Sequence, residues 1–388
     1  MKRRFLATAS FIALALGLPG GALAGSGTQT SVNGTANAVT LTDVAVGNGS
    51  TANGGAVGEA TAVGTNSSAV NGRASAYGAD SVASGFDSTA VGVSAHASGD
   101  NSIAAGRLSE ATGVSSTAVG GNAAASGDQA TAVGASSSAT GYSSLAVGDS
   151  NGASGDYSVA LGSYTNASAT GAMALGLETT ATQTGAVAIG QYSASTGANS
   201  AAVGANALAS GPSASAFGDS AEASGDRSIA AGVDAQAAGL SSAAFGDAAL
   251  ASGDYSSAYG HNGIASGLES TAVGVSAAAS GGQATAVGAF SSATGYSSLA
   301  VGDSNVASGD YSVALGSYAN ASAVGSMALG LEADATQTGA VALGQSAQAS
   351  GTGAVALGDS AQATQDGAIA IGQNAASTGV DAIAIGRG

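Results

Sequence analysis

The sequence predicts an all-β fold, a parallel solenoid of stacked 14-residue coils, and three observations lead there. Glycine recurs at every fourteenth position from Gly64 to Gly386, 24 glycines in one unbroken register. The residue two before each is always alanine, from Ala62 to Ala384. The residue just before each is branched or aromatic in 22 of 24 copies, Ala105 and Ala231 being the exceptions. A fixed short period is the mark of stacked identical units, each too small to bury a core alone.

Each element of the coil follows from this pattern. In Ser158-Val159-Ala160-Leu161-Gly162 larger apolar residues alternate with small ones, the period of a strand. Five residues after the glycine comes alanine in 21 of 23 copies (Ser195 and Ser377 differ), giving a second short strand such as Asn166-Ala167-Ser168. One step further a serine or threonine stands in 21 of 23 copies, Val70 and Ala238 being the exceptions. Glycine follows many strands, where a sharp turn calls for positive φ. A helix is excluded, because glycine twice per coil would cost roughly 1 kcal/mol each time. Coils about 4.8 Å apart would make a rod on the order of 115 Å long.

Composition agrees with a thin, layered fold. The 388 residues include 64 glycines, only 4% aromatics and only 8% charged residues. That is too few large apolar side chains for globular cores and too little charge for a disordered chain. Cysteine is absent, so no disulfide or thiolate metal site staples the fold. The net charge of −17 makes nucleic acid an unsuitable partner. Lys2, Arg3 and Arg4, the apolar run from Phe5 to Leu18 and Ala22-Leu23-Ala24 compose a signal peptide over residues 1–24, which predicts export. Residues 25–55, with Val44-Ala45-Val46-Gly47, read as an irregular N-terminal cap of imperfect coils, and residues 56–388 as the repeats.

The sequence leaves open which face of the first strand points inward. With the branched row inside, an all-alanine row would face water in every copy, where lysine, glutamate or threonine would be tolerated. With the alanine row inside, an apolar stripe would run the length of the rod, larger than monomers usually expose. Either arrangement predicts that another chain covers the first strand.

The runs Tyr157-Ser158-Val159-Ala160-Leu161-Gly162 and Gly367-Ala368-Ile369-Ala370-Ile371-Gly372, repeated over residues 56–388, resemble the head repeat of the YadA-like trimeric autotransporter adhesins. The resemblance implies a left-handed parallel β-roll, a homotrimer around a common axis, and display at the bacterial cell surface, outer membrane or extracellular space. It implies attachment to an extracellular matrix protein, a host cell or an abiotic surface, and no enzymatic activity or cofactor. Family members carry a stalk and a membrane anchor after the head. This sequence ends inside a repeat at Ile383-Ala384-Ile385-Gly386-Arg387-Gly388, which reads as a fragment of a longer adhesin or a head tethered in another way. The alternatives are a non-adhesive structural spacer or an ice- or surface-binding solenoid, the latter suggested by the Ser/Thr column from Ser84 to Thr378.

Chemistry-bearing residues are few. His96 and His261 stand at different places in the repeat and show no catalytic or zinc spacing. Asp100, Asp128, Asp156, Asp226, Asp254 and Asp310 recur in Ser-Gly-Asp. Stacked turn carboxylates bind calcium in nonapeptide β-rolls. Here the period is wrong and the acidic coils are not consecutive, so solvated turn residues are expected. Tyr142, Tyr157, Tyr164, Tyr296, Tyr311 and Tyr318 fall at turns and are the candidate contact residues. They belong to a duplication in which Gln129 to Gln191 recurs as Gln283 to Gln345, an offset of 154 residues, or 11 coils of 14.

Overall fold

The computed structural model describes residues 28–30 and 36–388, so the predicted signal segment lies outside the described residues. From residue 36 the chain winds as one continuous parallel β-solenoid, without a helix among the described residues. A coil consists of a first strand, a turn, a second strand and another turn, as in Thr89–Val91 followed by His96–Ala97. First strands pair only with first strands of adjacent coils, in parallel and in register, as Thr117, Ala118 and Val119 pair with Thr131, Ala132 and Val133. Second strands do the same, so the rod has two sheets, one of 26 first strands and one of 25 second strands.

Each coil is two similar halves of seven residues. Gly78 begins one half, with Asp80 left-handed (φ 55°) and Ser81 and Ala83 buried. Gly85 begins the other, with Asp87 left-handed (φ 55°) and Ser88 and Ala90 buried. The amides of Ser81 and Ser88 close the two turns on the carbonyls of Gly78 and Gly85 at 3.4 and 3.3 Å. Turns stack as well as strands: the Asp80 amide donates to the Thr65 carbonyl of the preceding coil at 2.8 Å.

The two glycines of a coil have different causes. Gly78 has φ 130°, and a Cβ on it would also collide with the Gly92 carbonyl of the next coil. Gly85 lies outside the left-handed region, so the sequence expectation of a positive φ fails there. Its reason is close approach, because a Cβ would collide with the Gly99 carbonyl. The left-handed position of that turn is two residues later and is filled by Asp, Asn, Ser, Tyr, Gln, Arg, Glu or Gly.

Alanine points inward in both strands, which settles the question the sequence left open. Every fully buried apolar residue described is an alanine, and the largest fully buried side chains are Asn151, Asn305, Thr165 and Thr179. A buried methyl contributes only about 0.8 kcal/mol, so this core is held by ladder hydrogen bonds more than by apolar volume. Some buried serine hydroxyls donate to a turn carbonyl three residues back, as Ser88 does to Gly85 at 2.7 Å, while others, such as Ser102, Ser116 and Ser158, have no hydrogen-bond partner among the described residues.

Three extra residues enter the N-terminal part. Val44 pairs with Thr61 and Thr51 with Ser68, both 17 residues apart instead of 14. The buried Asp43 carboxylate holds the widened coil, accepting amide hydrogens from Thr40 (2.8 Å), Ala60 (3.0 Å) and Gly54 (3.2 Å). Burial alone would raise its pKa, but the donors from Ala60, Thr40 and Gly54 outweigh it and hold the pKa below 3.8.

Candidate functional site

With alanine inside, the first strand turns its other two residues outward. One outer column stands three residues before the repeat glycine, at Leu145, Val159, Met173 and Val187. The second stands one before it, at Val147, Leu161, Leu175 and Ile189. In-register pairing stacks each column along the whole rod. Neither column carries a charged residue in any of the 24 coils, although Asp149 and Asp303 end two of the longer first strands, and the columns stay partly open to solvent: Phe217 is 44% exposed and Tyr259 41%. The second column is aliphatic or aromatic throughout and the first holds serine or threonine in nine of its 24 places, so an uncharged, largely apolar stripe runs the length of the rod, more than a monomer normally exposes.

The second strand has the same inward alanine and a different exterior. Its outer positions hold His96, Glu110, Glu222, Gln236 and Asp334, beside the Ser/Thr column. Apolar residues such as Leu208, Leu250 and Ile264 share these places, so the face is mixed and admits charge, unlike the two outer columns of the first strand.

The turns carry the tyrosines. Tyr142 and Tyr157 lie in successive coils on the turn that follows the second strand, their rings edge to face at 5.4 Å and 77°. The duplicate repeats this with Tyr296 and Tyr311 at 5.7 Å and 80°. Tyr164 and Tyr318 sit on the turn after the first strand, at the opposite edge of the flattened coil. The structure thus joins two of each predicted three and separates the third. Tyr157, Tyr164, Tyr311 and Tyr318 are all left-handed (φ 56–60°) and about three-fifths exposed. A bulky residue pays on the order of 1 kcal/mol or more for that backbone, and both copies keep it.

The turn aspartates act within the rod. Oδ1 of Asp100, Asp128, Asp156, Asp254 and Asp310 accepts an amide hydrogen from the preceding coil, at 2.8–2.9 Å, from Phe86, Val114, Tyr142, Leu240 and Tyr296. Asp226 follows Pro212 by one coil, and proline has no amide hydrogen to offer. Among the described residues no three His, Asp or Glu side chains gather into a metal-binding group. His261 contacts Asp247 of the preceding coil at 3.1 Å, and His96 lies in the second-strand outer column.

Sequence reasoning passed over two aromatic contacts. Phe245 and Tyr259 stack on the apolar face at 5.3 Å and 4°, and Arg73 lies 4.8 Å from the Phe86 ring centroid while pairing with Asp87 at 2.6 Å. The signal was present as spacing: Phe245 and Tyr259 are one period apart, and so are Arg73 and Asp87.

Comparison with known families finds the YadA head domain repeat matching in segments that run from residue 83 to residue 375. No curated protein matches the chain.

Proposed function

Because the chain belongs to the YadA head domain repeat family, we infer that it is the head of a homotrimeric surface adhesin. Heads of this family are non-enzymatic, adhesive and displayed outside the cell. Three copies pack their first-strand faces around a common axis, leaving the second-strand faces and the turns outward. The observation that carries this reading is the uncharged, largely apolar face over an interior of alanine and serine. That interior cannot accept the larger side chains, and only another chain can cover them. The widened coil described from residue 36 to residue 55, with Thr28–Thr30 paired onto Val44–Val46, caps the first edge of the rod.

Attachment to a matrix protein, a host cell or an abiotic surface is assigned to the outward turns. The two duplicated tyrosine sets, the pair Tyr142 and Tyr157 with Tyr164 at the other edge, and the pair Tyr296 and Tyr311 with Tyr318 at the other edge, are the contact residues we propose. All six are exposed and duplicated 11 coils apart, on the order of 53 Å along the rod, and Tyr157, Tyr164, Tyr311 and Tyr318 also hold a left-handed backbone. Trimeric display of two equal sets multiplies weak contacts through effective concentration. The Ser/Thr column is interrupted at Val70 and Ala238 and flanked by charged and apolar residues alike, which disfavours a lattice-matched ice face.

Beads coated with the protein test this reading on collagen, on cultured cells and on polystyrene. Adhesion that falls at least tenfold in the variant Tyr142→Ala/Tyr157→Ala/Tyr296→Ala/Tyr311→Ala is the expected result. Trimers that adhere to none of the three surfaces would make the protein a spacer.

A further inference from the structure

A strictly periodic rod has a register problem. If every coil presented the same outer pair, two copies shifted by one coil would fit as well as two copies at equal height, as happens to uniform strands. The 154-residue duplication adds a second hazard, since Leu145–Asp149, Val159–Ser163 and Met173–Leu177 have counterparts 11 coils later in Leu299–Asp303, Val313–Ser317 and Met327–Leu331.

The outer pairs vary among coils, and six of them combine a large and a small residue in one manner. Where the second outer column is aromatic, the first is serine or alanine: Ser75 with Tyr77, Ser215 with Phe217, Ala243 with Phe245, Ser257 with Tyr259. Where the second column is alanine, the first is isoleucine: Ile103 with Ala105 and Ile229 with Ala231. Large and small exchange sides while lying on one face of one strand. Nothing inside the coil requires this, because both columns point away from the alanine core.

We propose that these size-swapped coils fix the axial register in which copies of this chain pack side by side. The proposal rests on the self-association inferred above. In a ring of copies about the rod axis the interfaces are head to tail, so the second column of one chain meets the first column of the next. At equal height Tyr77 meets Ser75, Ala105 meets Ile103, Phe217 meets Ser215 and Ala231 meets Ile229. Every bulky ring finds a small residue, and every alanine finds an isoleucine.

Displaced copies lose this fit. A one-coil shift sets Phe217 against Ile229 and Ala231 against Ala243, a clash beside a void. The 11-coil shift that the duplication would favour is opposed most specifically. Residues 77 and 105 are 154 residues before 231 and 259, and the sizes at those equivalent places are opposite: Tyr77 against Ala231, Ala105 against Tyr259. In that shift Tyr77 would meet Ile229 and Ala105 would meet Ser257. The duplicated blocks would match while the swapped coils collide, as a single polar residue penalises wrong registers in a coiled coil.

The chain contains no cysteine, so introduced thiols report register cleanly. Chains carrying Thr131→Cys are co-refolded with chains carrying Thr285→Cys, 11 coils away on the same face, and treated with a short bis-maleimide. In the native background, cross-links join equal positions only. In a background with consensus residues (Ser75→Thr/Tyr77→Val, Ile103→Thr/Ala105→Val, Ser215→Thr/Phe217→Val, Ile229→Thr/Ala231→Val, Ala243→Thr/Phe245→Val, Ser257→Thr/Tyr259→Val), 131-to-285 cross-links should rise at least tenfold. Threonine and valine already occupy these places in Thr117–Val119 and Thr131–Val133, so the coils should fold, which circular dichroism checks. A consensus variant that still cross-links only at equal height overturns the register role while leaving self-association intact. A native chain that is monomeric by light scattering overturns both.

Discussion

The two sheets of the rod have the same backbone, the same parallel register and the same inward alanine, yet their outer faces differ. Second strands show Glu110, Gln236 and Asp334 to water, whereas the two outer columns of the first strands hold no charged residue across 24 coils. The difference teaches that the interior does not explain the sequence of the first strand. A coil needs its alanines, its turn glycine and its ladder; it does not need leucine or phenylalanine outside. Those residues answer to another chain.

The largest expected effect comes from breaking this asymmetry. Leu161→Glu places a charge on the first-strand face, where a covered, unpaired carboxylate costs several kcal/mol, so association should weaken by on the order of 100-fold or more. Val306→Glu replaces an exposed apolar residue on the second-strand face, where glutamate already occurs, and should leave the mass unchanged. Sedimentation velocity of the two variants side by side makes the comparison. Equal behaviour would mean the faces are equivalent.

Glycine substitutions come next and separate packing from backbone conformation. Gly162→Ala meets both a φ of 134° and the Gly176 carbonyl, and should cost about 2–4 kcal/mol. Gly325→Ala meets only its φ of 64°, with open space around it, and should cost about 1 kcal/mol. Gly121→Ala meets neither and should be near neutral. Hydrogen exchange of the flanking coils would rank them, and a neutral Gly162→Ala would refute the close-approach account.

Asp43 distinguishes the widened N-terminal coil from the regular rod. Its folded pKa is lowered below 3.8, so the stability it contributes is fully present above the unfolded value of about 3.9 and disappears as pH falls through the folded pKa. Exchange protection around residues 40–60 should fall selectively below about pH 4, and Asp43→Asn should lose it at neutral pH by roughly 1–3 kcal/mol. Protection that falls equally along the rod at low pH would contradict this assignment.

The smallest effect concerns the inter-coil aspartates. Asp156→Ala removes the acceptor of the Tyr142 amide and should cost about 1 kcal/mol. Asp226→Ala, which follows Pro212, should cost nothing measurable. Thermal unfolding of both variants decides it.

Much of this was legible in the sequence because a repeat multiplies weak signals. Gly64 to Gly386 fixed the coil length, and Ala160 within Val159 and Leu161 fixed the strand period. The facing of that strand was not legible: alternation says which residues share a side, never which side is the core. Only the interior's width decides, and it admits nothing larger than Asn151. Tyr142 and Tyr157 are 15 residues apart, off the period by one, so their ring contact depends on the shape of the turn. Asp43 was invisible because its partners come from the widened coil that interrupts the repeat. The size exchange at Tyr77, Ala105, Phe217 and Ala231 was written in the sequence throughout, but it gained meaning only once both outer columns were known to face outward.

The most direct measurement is the molar mass of the purified chain by light scattering over a dilution series. Three chains at every concentration, with Leu161→Glu falling to one, is the result this account predicts. A soluble native monomer with its first-strand face open to water would contradict it.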